Sequence, residues 1–192
     1  MDKAQMITEF WVSEVGPSGW YNASDELDQT IRDQFMEDWE KARAGEYDGW
    51  AYCPEKSLSL LVLLDQFPRN MFRNDPRAFA TDRKAIEVAA HSIDAGYDMR
   101  TDEPQRQFYY LPFMHSECLT HQERCVRLMK CRMPDSGASN FLHAKAHRAI
   151  IRLYGRFPYR NEALGRTSTP AELAFMDGGG YQAITEELQQ AA

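Results

Sequence analysis

Residues 58–64 read Leu58-Ser59-Leu60-Leu61-Val62-Leu63-Leu64, an apolar run with almost no polar side. A helix that is apolar all round belongs at the centre of a domain, where every face is covered. Leucine outnumbers β-branched residues here, so the spacing predicts a helix over about residues 55–66 rather than a buried strand.

The rest of the chain repeats the helical period around that segment. Ile7, Phe10, Trp11 and Val15 give one apolar face, broken at Gly16-Pro17-Ser18-Gly19. Leu27, Ile31, Phe35 and Trp39 recur at steps of four, behind a Ser24 cap and ahead of a Gly45 stop. A further helix is expected over 82–95, with Ala85, Ile86, Ala89, Ala90 and Ile93 inward. A short helix opens at Thr101-Asp102-Glu103-Pro104 and stops near Leu111-Pro112. The next runs from Phe113 to about Cys131, with Leu119, Gln122, Val126 and Met129 on one stripe. Residues 141–154 are helical again, with Leu142, Ala149, Ile150 and Leu153 inward. Thr169-Pro170-Ala171-Glu172 is a capping box with proline at the first helical position. No run alternates with period two. The fold class expected is therefore all-α: one domain over 1–192, of seven to nine antiparallel helices. The segment after residue 177, beyond Gly178-Gly179-Gly180, is expected to be loosely attached.

Bulk properties bound the function. A chain of 192 residues can bury a sizeable core. A net charge of −7 repels a polyanion from the average surface, so no nucleic-acid partner is expected. The longest apolar run is far too short to span a bilayer, which leaves no membrane partner. Met1-Asp2-Lys3-Ala4-Gln5-Met6 lacks a signal-peptide pattern, and Cys53, Cys118, Cys125 and Cys131 form no Cys-x-x-Cys pair. A cytoplasmic protein with reduced thiols is expected.

One phrase occurs twice. Asp65-Gln66-Phe67-Pro68-Arg69-Asn70 ends one apolar segment, and Gly155-Arg156-Phe157-Pro158-Tyr159-Arg160-Asn161 ends another. Proline lacks a backbone donor and clashes with the preceding turn, so each Phe-Pro is expected to stop its helix. The following arginine and asparagine would then stand at a helix exit, beside carbonyls without partners.

Several segments, in order, carry a resemblance. They are Leu63-Leu64-Asp65-Gln66-Phe67-Pro68-Arg69-Asn70, Phe79-Ala80-Thr81-Asp82 and Tyr110-Leu111-Pro112-Phe113-Met114-His115-Ser116-Glu117. After them come His147, Gly155-Arg156-Phe157-Pro158 with Arg160-Asn161, and Leu164-Gly165-Arg166 with Ser168-Thr169. Together they resemble the bacterial domain-of-unknown-function family 924, from Phe10-Trp11 to Phe175. The resemblance implies a tetratricopeptide-like α-α superhelix with degenerate repeats, and no established activity. The family usually has histidine where this chain has Tyr159, and an acid where it has Cys118.

Three readings of the polar residues follow. In the first, Arg69, Asn70, Arg160, Asn161 and Arg166 bind a small anionic molecule, since the guanidinium fork fits carboxylate and phosphate. His115, Glu117 and His147 are then the candidate acid–base residues, with His115 held neutral by the start of a helix. In the second, a tetratricopeptide-like groove takes a peptide and the arginines hold its carboxylate. In the third, the same residues only pair with one another and lock helix ends. His143 and His147 stand four apart on a helix, as two metal ligands can, but Ala144-Lys145-Ala146 lacks a zinc protease's glutamate. The expected arrangement is a surface His143 beside a hydrogen-bonded, inward His147, with neither metal nor cofactor. Cys118 is a nucleophile only with a depressed pKa.

Overall fold

The computed structural model describes residues 2–22 and 24–191. It is 75% helical, with no strand among the described residues. The chain divides into two compact units, Met1–Pro112 and Phe113–Ala192.

In the first unit, α1 (Lys3–Glu9) continues through a π-helical turn at Phe10–Val15 into α2 (Gly16–Gly19). α3 (Asp25–Ala44) starts where Ser24 Oγ accepts the Leu27 N–H, and ends at Gly45 in the left-handed conformation, φ +98°. α4 (Pro54–Leu61), a π-helical segment at Val62–Gln66 and α5 (Phe67–Met71) form one continuous rod. Leu60 to Leu64 are wholly buried in it. The Phe67 ring packs on Phe35 at 4.9 Å, Trp11 at 5.6 Å and Phe10 at 6.0 Å. α6 (Asp82–Asp94) buries Ala85, Ala89 and Ile93 as expected, and also Val88.

Pro68 does not stop its helix. The Phe67 N–H reaches back five residues to the Val62 carbonyl, and that widened turn accommodates a residue without a donor. Pro158 does not stop one either. α9 already ends at Tyr154, where Gly155 turns left-handed at φ +70°. Pro158 instead opens a 3-10 turn, Pro158–Arg160. The repeated phrase thus serves two different backbones.

The second unit contains α8 (Leu119–Arg132), α9 (Ala138–Tyr154), α10 (Pro170–Asp177) and α11 (Gly180–Gln190), after a short α7 (Leu111–Met114) at the division. The single helix expected from Phe113 is broken at residues 115–118. Buried Gln122 is the cause: its Nε2 faces the carbonyls of Phe113 (3.2 Å), Met114 (2.7 Å) and Ser116 (2.7 Å). The two N–H bonds of that amide stand in for backbone donors at these carbonyls, so the helix need not continue through them. His115 and Glu117 therefore lie between helices, not in a first helical turn. Leu119 and Leu153, expected inward, are 43% and 64% exposed. The five-residue link between α8 and α9 makes them antiparallel neighbours.

The segment after 177 is not loose. Gly179 and Gly180 turn at φ +96° and +55°, and α11 then lays Tyr181 and Ile184 on buried Ile150, Ile151 and Phe157. The Thr169 capping box forms as expected: Thr169 Oγ1 accepts the Glu172 N–H, and Glu172 Oε2 accepts the Thr169 N–H.

Candidate functional site

In the first unit, Arg69 lies along its own helix. Its Nη1 donates to the Asp65 carbonyl at 2.8 Å and stands 3.4 Å from the Asp65 carboxylate. Its Nη2 is 2.9 Å from Asp82. Asn70 Nδ2 donates to the Gln66 carbonyl, and its Oδ1 accepts from Arg73 Nη2 at 3.2 Å. Arg73 in turn clasps buried Asp28. These contacts tie α5 to α3 and α6.

In the second unit the candidates gather around Phe157, which is fully buried. Its ring is 5.3 Å from His147 and 5.4 Å from Tyr159, and the Arg160 guanidinium lies 4.5 Å over it. Its backbone N–H is accepted by Glu117 Oε1 at 2.8 Å, and its carbonyl accepts from Arg166 Nη2 at 3.2 Å. His115 approaches His147 with ring centroids 6.5 Å apart, and the His115 carbonyl accepts from Arg160 Nη1 at 2.9 Å. α9 supplies His147, the 115–118 break supplies His115 and Glu117, and the 3-10 turn supplies Arg160.

Within this cluster the residues divide into two kinds. Glu117 and Arg166 form a bidentate pair, 2.7 and 2.9 Å. Burial alone would raise the Glu117 pKa, but Arg166 and the Phe157 N–H outweigh it and hold the carboxyl below its ordinary value. Glu117 is thus an ionised strut that fixes Phe157. Asn161 serves the same loop: its Nδ2 donates to Ser168 Oγ at 3.0 Å, and its carbonyl accepts the Arg166 N–H at 2.7 Å. Arg156 pairs with Glu172 at 2.6 and 2.8 Å, locking the start of α10.

His147 is of the other kind. Its Nδ1 lies 2.9 Å from the His143 carbonyl, which can only accept, so the proton is on Nδ1 and Nε2 carries the lone pair. Burial, and then electrostatic interaction with His115 and Arg160, push its pKa down to about 3 against the raising effect of the bond to the His143 carbonyl. The ring is a neutral acceptor at physiological pH. His143 is not a surface residue: it is half-buried, its Nδ1 is 2.6 Å from the Tyr181 hydroxyl, and burial lowers its pKa. Burial pushes the Tyr181 phenol up, so it stays protonated. Tyr181 also packs on His147 at 5.0 Å and Tyr159 at 6.4 Å. Nothing in its local sequence marks Tyr181. The glycines before it signal a turn, not the surface the turn returns to. Among the described residues no group of three histidine, cysteine or acidic side chains could hold a metal ion. Cys118 is exposed and forms the cap position of α8.

The sequence matches the family described as bacterial protein of unknown function, DUF924, over residues 7–180. The chain belongs to this family. The match takes in every residue of the Phe157 cluster except Tyr181, which lies one position beyond it. A structure of a protein of unknown function from Agrobacterium tumefaciens is similar, with a TM-score of 0.85 and 38% identity. The similarity covers 91% of this chain and 97% of that one. No curated protein matches the sequence. No described helix is long and apolar enough to cross a membrane.

Proposed function

We propose that this protein binds a small anionic molecule at the Phe157 cluster of its second unit, through Arg160, His115 and His147. The observation that carries the reading is the state of His147. A neutral imidazole, its tautomer fixed by a backbone carbonyl and its walls made of Phe157 and Tyr181, presents Nε2 as a hydrogen-bond acceptor. Beside it stands the Arg160 cation, whose charge is felt at His147. A guanidinium and a neutral acceptor together suit an anion that also carries a hydroxyl: the charge goes to Arg160 and the hydroxyl proton toward Nε2. With a pKa of about 3, His147 is a poor base in the resting protein, so its part is to orient that hydroxyl.

Glu117, Arg166 and Asn161 hold the cluster in place rather than touch the ligand, and Arg69 and Asn70 do the same for α5. The tetratricopeptide-like reading of the fold draws support from antiparallel pairs such as α8 and α9. A cytoplasmic setting agrees with the four free cysteines.

The test is thermal stabilisation by a panel of small anions, glycolate, lactate, citrate and phosphate, on the full chain and on Arg160→Gln and His115→Gln. The reading expects a concentration-dependent rise in Tm for at least one hydroxy acid, lost in both variants while they remain folded. Variants that unfold outright, or that keep the stabilisation, refute it.

A further inference from the structure

A cleft of about 190 Å³ opens in the first unit between the 3-10 turn Asp48–Tyr52 and α6. Lys84, Val88 and His91 stand at helical spacing along α6, so one stripe of that helix lines it. Ala51 and Val88, both buried, give it apolar lining. The charged residues on it are Asp48, Lys84 and Glu87.

Two features mark it as built to receive something. The first is His91. Its Nε2 is shut off from solvent and meets no hydrogen-bond donor or acceptor among the described residues. Two aromatic rings pack against its own, Tyr52 at 4.7 Å and Tyr97 at 5.9 Å. Buried polar atoms are nearly always hydrogen bonded, so an orphaned imidazole nitrogen calls for a partner. The second is Tyr52, a large ring left 70% exposed over that histidine. That exposure leaves the ring room to move off the imidazole without opening the core.

Charge selects the class of ligand. The Lys84 ammonium is already engaged by the Asp48 carboxylate and by the Ala42 carbonyl at 2.6 Å. Glu87 is paired with Arg83, itself 93% exposed and so screened by solvent. An anion entering the cleft would meet two carboxylates and a lysine already in use. A cation would meet Glu87 and the π face of Tyr52.

We propose that this cleft binds a small organic ammonium, a protonated primary amine that donates one N–H to His91 Nε2 and sets its charge against Glu87 and Tyr52. An ammonium N–H at Nε2 selects the imidazole tautomer that carries its proton on Nδ1 and its lone pair on Nε2. The volume matches about six waters at about 30 Å³ each, which limits the ligand to a single ring or a short chain.

The experiment follows the His91 and Tyr52 ring resonances of the isotope-labelled full chain by NMR while benzylammonium is added. Benzoate and benzyl alcohol are the controls of other charge. Saturable shifts at both rings with benzylammonium alone are expected. His91→Phe should weaken binding about tenfold and Glu87→Gln about fivefold. Tyr52→Leu, at an exposed position that leaves the fold intact, should weaken it about threefold. Absence of saturation at tens of millimolar, shifts that spare His91, or benzoate binding as tightly as benzylammonium would each overturn the proposal.

Discussion

Glu117 and Arg166 lie 49 residues apart and meet as a two-toothed fork, Nη1 to Oε2 at 2.7 Å and Nη2 to Oε1 at 2.9 Å. Both ends also grip the Phe157 backbone, Glu117 at its N–H and Arg166 at its carbonyl. The turn that presents Arg160 is thereby fixed to the break that presents His115. Both partners are mostly buried, so the pair is shielded from the screening that weakens surface ion pairs. Glu117→Gln and Arg166→Ala should each destabilise the protein by about 2 kcal/mol. A double-mutant cycle in urea should give a coupling of about 1–2 kcal/mol. Strict additivity would mean the fork does not act as a unit.

Gln122 performs a similar service within the 113–122 segment, because the two N–H bonds of its amide are shared among three carbonyls that a broken helix leaves open. Gln122→Leu keeps the side-chain volume and removes the donors. It should cost about 2 kcal/mol by urea unfolding and disturb the His115 resonance. A variant as stable as the parent would show that the break at 115–118 is set by something else.

His147 gives stability a pH dependence of known sign. Its folded pKa, about 3, lies below the ordinary 6.5, so between those values the unfolded chain binds the extra proton. Stability contributed by the neutral ring is complete above pH 6.5 and is lost as the pH falls toward 3, by about 1.4 kcal/mol per pH unit traversed. Urea unfolding between pH 7 and 4 should show this slope, and His147→Asn should flatten it. An equal slope in the variant would assign the effect to another group.

Glu172 acts in a lower window. The hydrogen bonds from Arg156, and next from the Thr169 backbone, hold its pKa near 2 against an ordinary 4.5. Its contribution is present above pH 4.5 and is lost as the pH falls through 2. Hydrogen exchange should show α10 opening first over that range, and Glu172→Gln should open it already at neutral pH. Protection of α10 that survives the substitution would contradict the account.

The helices were legible because their signals are local. The Ser24 cap, the Gly45 stop, the Thr169 capping box and the leucine run at 58–64 each act within one or two turns. The π-helical turn before Pro68 was not, because it depends on how a whole rod relieves one missing donor. The break at 115–118 is hidden from the sequence for a related reason. Gln122 reads as one more position on a stripe, and only its three carbonyl contacts reveal its effect. At the site, His115 and Arg160 were visible as polar residues at expected helix ends, and His147 as an inward position four residues after His143 that the resemblance also carries. That Glu117 and Arg166 satisfy each other, or that Tyr181 closes over His143 and His147, depends on contacts between elements 38 to 49 residues apart. No local pattern encodes them.

The most direct test of the anion site is the His147 imidazole itself. With the full chain labelled in its histidines, the Nε2 nitrogen-15 shift of His147 is followed at pH 7 as glycolate, and separately acetate, is added. A proton-bearing neutral Nδ1, and an Nε2 signal that moves saturably with glycolate as it accepts the hydroxyl, is the result expected. It should move less with acetate, and not at all in Arg160→Gln. An Nε2 that is unmoved by any small anion, or a ring already protonated at pH 7, would contradict the reading of His147 and Arg160 as a binding site.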